Sequence, residues 1–298
     1  MSTSSHGTKG RPGPSGAAGP REGRWAGTTA TATLRRYTPF ATASLQGLLQ
    51  YRSTFLINAL TATAAVGVQV FLWRAVYAGR EDGLPGGYDL PRLTTYVLLA
   101  QVLGLLQANR VDEEVAGEVQ RGDIAVSLLR PVSYPLSRFA AGLPVSLTNA
   151  TLVAVPVVLL YALLLPLTTP TWSGVLLFAC SAGLSLVIGF AVNLLVGLAG
   201  FVTTNVWGVR IVKDSVVAFF AGQVVPLAML PGPLAAVASV LPFQGMVDGP
   251  LRLLLGRYDG PVDAAGILAV QLAWAAALTV LAALAWRRAV RRVEVLGG

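Results

Sequence analysis

From Trp172 to Phe201 the chain carries no charged side chain. An apolar helix needs about 20 residues to cross the hydrocarbon core of a bilayer, and lipid offers the backbone no hydrogen-bond partners, so a run of this kind crosses as a helix. Six stretches approach that length: Ser53 to Tyr77, Leu93 to Ala108, Leu143 to Leu165, Trp172 to Phe201, Ile211 to Leu230 and Ala264 to Trp286. The second is short and has to borrow flanking residues. With a mean hydropathy of +0.64 and 12% charged residues, the chain has too little polar surface to cover a soluble globule of its size. The expectation is an all-α, multi-pass membrane protein with six transmembrane helices.

Charge orients the spans. Of 22 basic residues, only Arg74, Arg80, Arg92, Arg252 and Arg257 fall at or beyond the outer ends if the N-terminus is cytoplasmic and the spans alternate. This bias fits the positive-inside rule and places both termini in the cytoplasm. Topology and lipid headgroups account for the net charge of +8, so no nucleic-acid partner is expected. Lys9 and Lys213 are the only lysines beside abundant Arg, Ala and Gly, a composition pointing to a GC-rich bacterial genome and hence to a bacterial cell membrane. One cysteine, Cys180, lies inside a span and the one histidine, His6, near the N-terminus, which leaves no disulfide and no Cys/His metal site.

Residues 1–31 are rich in Gly, Ser, Thr and Pro, and read as a disordered cytoplasmic tail. They contain no apolar h-region, so insertion is expected to rely on the spans themselves. Between Thr33 and Arg52, Leu34, Tyr37, Ala41, Leu45, Leu48 and Leu49 recur at helical steps, predicting an amphipathic helix on the inner membrane surface. Residues 32–298 then form the membrane domain. In span four, Gly183, Gly189, Gly197 and Gly200 with Ser181 and Ser185 predict close helix packing. Arg210, Lys213 and Asp214 interrupt the fifth span and belong at the inner interface, because a charge at a helix centre costs about 2.5–3.5 kcal/mol.

The segment joining spans two and three carries the most mechanism. Asp112, Glu113, Glu114, Glu118, Arg121 and Asp123 form a dense charged run that is expected to extend span two into water. Gly122 permits a sharp turn, Asp123 is placed to cap the next helix, and Ile124, Leu128 and Leu129 put an apolar ridge on one face before Arg130 and Pro131 end it. About two turns of helix result. An apolar ridge flanked by charges suits a groove on another protein, where rim charges set register and the anchors supply affinity.

After the fifth span, Pro231, Pro233, Pro242 and Pro250 divide a region too apolar for an aqueous loop and too broken for a further span. Two short helices, about Leu234 to Leu241 and Phe243 to Leu255, are expected as a re-entrant hairpin in the outer leaflet. Such backbone is tolerated in a membrane only where protein or a cavity shields it. The last span ends in Trp286 with Arg287, Arg288, Arg291 and Arg292 as its cytoplasmic anchor.

Residues Thr33 to Gly298 resemble the membrane subunit of ABC-2 type ABC exporters. The likeness rests on G-(D/E)-(I/L)-x-x-x-L-x-R-P after span two, here Gly122, Asp123, Ile124, Leu128, Arg130 and Pro131, and on F-F-x-G-x-x-x-P, here Phe219, Phe220, Gly222 and Pro226. Leu241, Pro242 and Phe243, and the pair Leu255 and Gly256, also match. The resemblance implies six spans with an N-terminal interface helix, a cytoplasmic coupling helix over Gly122 to Pro131, and outer re-entrant helices, as in type V exporters. Phe219, Phe220, Gly222, Pro226, Pro231, Pro242 and Phe243 then form the re-entrant or gate region. It further implies a second permease chain, identical or related, and a dimer of separate ATPase subunits that hold ATP and Mg. No catalytic residue, metal or cofactor is expected on this chain: Lys9 is followed by Gly10 and Lys213 by Asp214, so neither completes a P-loop.

The substrate class follows from what the spans lack. With no acidic residue deep in a span, and with Trp73, Phe190 and Phe201 offering apolar and cation–π surface along a substrate path, an amphipathic drug, antibiotic or lipophilic cation is the expected cargo. An ATP-independent channel or secondary transporter is the alternative, but the chain shows neither mid-span relay residues nor an internal repeat. A lipid-modifying enzyme would need a nucleophile or metal constellation that these residues do not supply.

Overall fold

The computed structural model describes residues 37–44, 52–78, 86–203 and 205–296, and every regular element in them is helical. Residues 1–36 lie outside the described residues, and with them the expected tail; of the expected interface helix only a helix over 37–44 (α1) is described. The elements that follow are α2 (Arg52–Ala78), α3 (Leu90–Gln107), α4 (Val111–Arg121), α5 (Ile124–Leu128), α6 (Tyr134–Asn149), α7 (Val155–Leu164), α8 (Trp172–Leu198), α9 (Val206–Phe220), α10 (Gly232–Val240), α11 (Asp248–Leu254) and α12 (Gly260–Leu296).

Four helices are long and apolar enough to cross a bilayer: Phe55–Ala78, Tyr134–Leu164, Trp172–Phe201 and Gly260–Arg291. The second joins α6 to α7 through a π-turn, Ala150–Ala154. That wider turn ends two residues before Pro156, whose ring would crowd a carbonyl one turn back. The other two expected spans are shorter. α3 has 18 residues and stops at Gln107, and α9 has 15. The run Ile211 to Leu230 is therefore not one continuous span: it turns at Gly222, where φ is +86° and a Cβ would lie 2.5 Å from the Tyr96 hydroxyl. Only glycine meets both conditions at once.

α8 is the central helix, packed on α12, α11 and α4. The Thr171 hydroxyl caps its start by accepting from the Gly174 N–H at 3.2 Å. At the same end a Cβ on Gly174 would come within 2.9 Å of the Leu254 carbonyl, so α11 lies directly against it. At the other end, a Cβ on Gly197 would lie 3.0 Å from Val115, and one on Gly200 2.9 Å from the Ala116 Cα. The expected close packing holds at Gly189, Gly197 and Gly200, whereas Gly183 faces open space. Two apolar clusters share this frame. One, around Tyr96, Leu98, Ile188 and Leu251, ties α2, α3, α7 and α8 to the proline-rich segment. The other, around Val111, Val115, Ile124, Tyr134 and Leu194, ties α4, α5 and α6 to α8 and α12.

Two short helices are present in this segment: the first lies within two residues of its expected bounds, whereas the second, expected from Phe243, starts only at Asp248 after a 3-10 turn. α10 leads through a 3-10 turn, Pro242–Gly245, into α11. Its irregular carbonyls are satisfied from the neighbouring helices. Gln271 Nε2 donates to the Gly245 carbonyl (2.7 Å), and the Met246 carbonyl receives Gln107 Nε2 (2.6 Å) and the Ser185 hydroxyl (2.7 Å). Ser181 in turn donates to Gln271 Oε1 at 2.7 Å. Ser181 and Ser185 are thus hydrogen-bonding residues as well as small ones.

Candidate functional site

The charged segment after α3 is not a helical continuation of it. α3 ends at Gln107, the backbone turns, and α4 starts afresh at Val111 with Asp112, Glu113 and Glu114 in its first turn, where acidic side chains favour the helix dipole. Asp112 does not reach water, contrary to the expectation for this run: its side chain is 1% exposed. Lys213 of α9 reaches in to meet it, its Nζ 2.9 Å from Asp112 Oδ2 and 2.6 Å from Asn193 Oδ1. Asn193 donates onward to Asn109 at 3.0 Å. Arg210 pairs with Glu113 and lies 3.6 Å from Asp112 and 3.5 Å from Asp214. Three elements, α4, α8 and α9, are therefore bound by one ionic and amide network.

At the far end of α4, Gly122 takes φ +78° and turns the chain into α5. α5 is five residues long, little more than one turn rather than two. Asp123 does not cap it: its carboxylate takes the Arg121 guanidinium at 2.8 Å, while its backbone is already helical. The expected ridge also divides. Ile124 points inward and is 3% exposed, Leu128 is half-buried, and Leu129 is 84% exposed with Val126 beside it at 63%. Arg130 lies with its guanidinium 5.9 Å from the Phe40 ring of α1, and the Ser133 N–H donates to the Tyr37 hydroxyl at 3.2 Å. Pro131 is exposed.

Glu118 fastens this elbow. It accepts from the Tyr134 hydroxyl (2.8 Å) and the Ser127 hydroxyl (3.4 Å), and pairs with Arg138, which also reaches Glu114 at 3.2 Å. Tyr134 stacks on Trp286 of α12, centroids 4.5 Å apart and planes 8° from parallel. Glu118 thus joins α5 to α4 and to the start of α6, and Tyr134 joins that junction to α12. Sequence reading placed Glu118 in water and Trp286 at the headgroups; the spacing of Glu118, Tyr134 and Arg138 carries no local periodicity to reveal their contact.

At the opposite end, Phe219 and Phe220 pack edge to face at 5.1 Å, and Gly222 and Pro226 are buried. Asp248, also buried, sits 3.0 Å from the Tyr96 hydroxyl, which in turn lies 2.9 Å from the Gly222 carbonyl. Pro242 is buried, Phe243 half-buried and Pro231 exposed. Tyr88 meets Tyr96 edge to face at 5.7 Å and carries the Arg257 guanidinium over its ring at 3.7 Å. Burial, and then the charge of Asp248, pushes the Tyr88 phenol well above its ordinary value. Two carboxylates, Asp112 and Asp248, are therefore buried, neither in the middle of a long span. The residues assigned to a substrate path separate: Trp73 belongs to the cluster around Tyr96, Phe190 and Phe201 to the cluster around Tyr134. Among the described residues, no group of His, Cys, Asp and Glu is arranged to hold a metal ion.

The described residues thus form a helical bundle, four of its helices long and apolar enough to cross a membrane, with a bonded, partly exposed elbow at one end and a proline-broken segment at the other. The chain matches the family described as ABC-2 family transporter protein over residues 63–297, and it belongs to that family. No curated protein and no solved structure matches it.

Proposed function

We propose that this chain is the membrane subunit of an ATP-driven exporter, receiving motion from a separate ATPase subunit through the α4–α5 elbow. The observation that carries the reading is the division of α5. Ile124 anchors it inward, while Val126 and Leu129 stand exposed between Arg121, Asp123 and Arg130. Exposed apolar anchors ringed by charge are the pattern of a docking surface. ATP and Mg act on the partner, and a second permease chain, identical or related, completes the pathway. Both termini and the elbow face the cytoplasm of a bacterial cell, in line with the basic residues at that end.

Closure of the ATPase dimer would press on α5. Glu118 and Arg138 transmit that push to α6, and the Asp112–Lys213 network transmits it to α9, whose other end turns at Gly222 beside the hairpin. The cargo proposed is an amphipathic drug, antibiotic or lipophilic cation.

The test is ATP hydrolysis in proteoliposomes holding this chain and its ATPase. Val126→Asp with Leu129→Asp alters side chains that face water, so the bundle should keep its melting temperature while coupled hydrolysis falls at least tenfold. Unchanged hydrolysis would remove the coupling role from α5.

A further inference from the structure

Two cavities open beside the hairpin and adjoin along Gln244, Asp248, Arg252 and Asp263. One, of about 500 Å³, is lined mainly by polar and charged residues. The other, of about 190 Å³, runs along α12. Asp263, Ile267, Val270 and Trp274 line this second cavity at steps of four, three and four residues, which puts them on one stripe of the helix. That stripe has a carboxylate at its start and an indole at its end. Arg252 faces Asp263 across the junction, Nη2 to Oδ2 at 3.5 Å, with the two side chains 38% and 39% exposed. Backbone contacts aim both groups: Arg252 Nε donates to the Arg257 carbonyl (3.4 Å), and Asp263 Oδ2 accepts from the Asp259 N–H (3.1 Å).

We infer that this cleft binds a zwitterionic amphiphile, its head exchanging with the Arg252–Asp263 pair and its tail lying along Ile267, Val270 and Trp274. The pair is long and half-exposed, and ion pairs of that kind contribute little to stability. A head with an anionic oxygen for Arg252 and an ammonium for Asp263 replaces both partners. Asp248 lines both cavities, and Arg257 and Asp259 line the larger one. The cleft therefore presents both signs of charge, and a singly charged head meets like charge as well as opposite, which costs binding. The apolar stripe next to the charges takes the tail. The ligand is either a bilayer lipid or a transported solute with the same chemistry. The inference concerns binding alone and does not rest on the coupling proposed for α5.

Gly266 makes the test clean. It lines the cleft, and a Cβ there would meet nothing within 4 Å, so Gly266→Leu is the substitution chosen to obstruct the cleft. The purified chain in nanodiscs is titrated with a tail-brominated phosphocholine of single chain, and the quenching of Trp274 is read as the component lost in Trp274→Phe. Wild type should bind at least tenfold more tightly than Gly266→Leu, and more tightly than alkyl phosphate or alkyl trimethylammonium of equal tail. Asp263→Asn should shift preference towards the alkyl phosphate, and Arg252→Gln towards the trimethylammonium. Release of bound phosphocholine when the ATPase partner and ATP are added identifies a transported solute, and retention identifies a resident lipid; both support the site. Equal binding of all three heads, or binding unaffected by Gly266→Leu in a chain of unchanged melting temperature, overturns it.

Discussion

Lys213 shows how much a single residue position can conceal. Its place inside an apolar run sent it to the membrane interface, where a cation is inexpensive. What that reading missed is its burial against Asp112 and Asn193, with side-chain exposure of 11% for Lys213 and 1% for Asp112. Removing one partner of a buried pair costs about 3–5 kcal/mol where it leaves an uncompensated charge, and less here, because Lys213 keeps Asp214 at 2.8 Å and Asp112 keeps Arg210 at 3.6 Å; replacing both with apolar groups is often close to neutral. Lys213→Met or Asp112→Leu alone should lower the melting temperature, and the double variant should recover part of the loss; a double variant as unstable as the sum of the singles would show that the two groups do not act as a pair. The signal for this contact was present in the charges, acids after span two and bases in the first turns of the fifth helix. Periodicity reports only which residues share a face of one helix, so it could not pair residues a hundred positions apart. Asp123 failed as a cap for a nearer reason: Arg121, two residues away, offers its carboxylate a guanidinium in place of backbone N–H groups.

At the level of elements, the hairpin was the most legible part of the chain, because each proline removes a donor and stops a helix at a definable place. Pro231 and Pro242 bracketed α10 to within two residues, whereas Pro250 falls inside α11, which starts five residues after the expected Phe243. Less legible was what shields it. The carbonyls of Gly245 and Met246 are held by Gln271, Gln107 and Ser185, side chains from three different helices. Gln271→Leu should leave the Gly245 carbonyl without its donor at a cost of about 1–3 kcal/mol. Hydrogen exchange over 242–254 should accelerate at least tenfold while the centre of α8 stays protected; unchanged protection at the hairpin would mean that Gln271 does not hold it. The fifth helix was less legible still, since hydropathy continues smoothly past Phe220, and the turn is set by Gly222 lying against the Tyr96 hydroxyl, a contact across the fold.

For the whole molecule, the all-α membrane fold followed from the long uncharged runs, and the family from two short motifs, since membership over residues 63–297 agrees with the resemblance those motifs carry. The elbow and hairpin motifs lie at opposite ends of α8, and the proposed route for motion would run from half-buried Glu118 and buried Asp112 at one end to buried Tyr96 and Asp248 at the other. What the elbow docks against decides whether this route is used. The most direct measurement places a single reactive cysteine at the tip, Leu129→Cys on a Cys180→Ser background, and crosslinks it in native membranes with the product identified by mass. The expected product joins this chain to a subunit carrying a P-loop, and it should vanish when Val126→Asp is added. A tip that crosslinks to no ATPase, in a chain that still moves solute in liposomes without ATP, would contradict the coupled-permease reading.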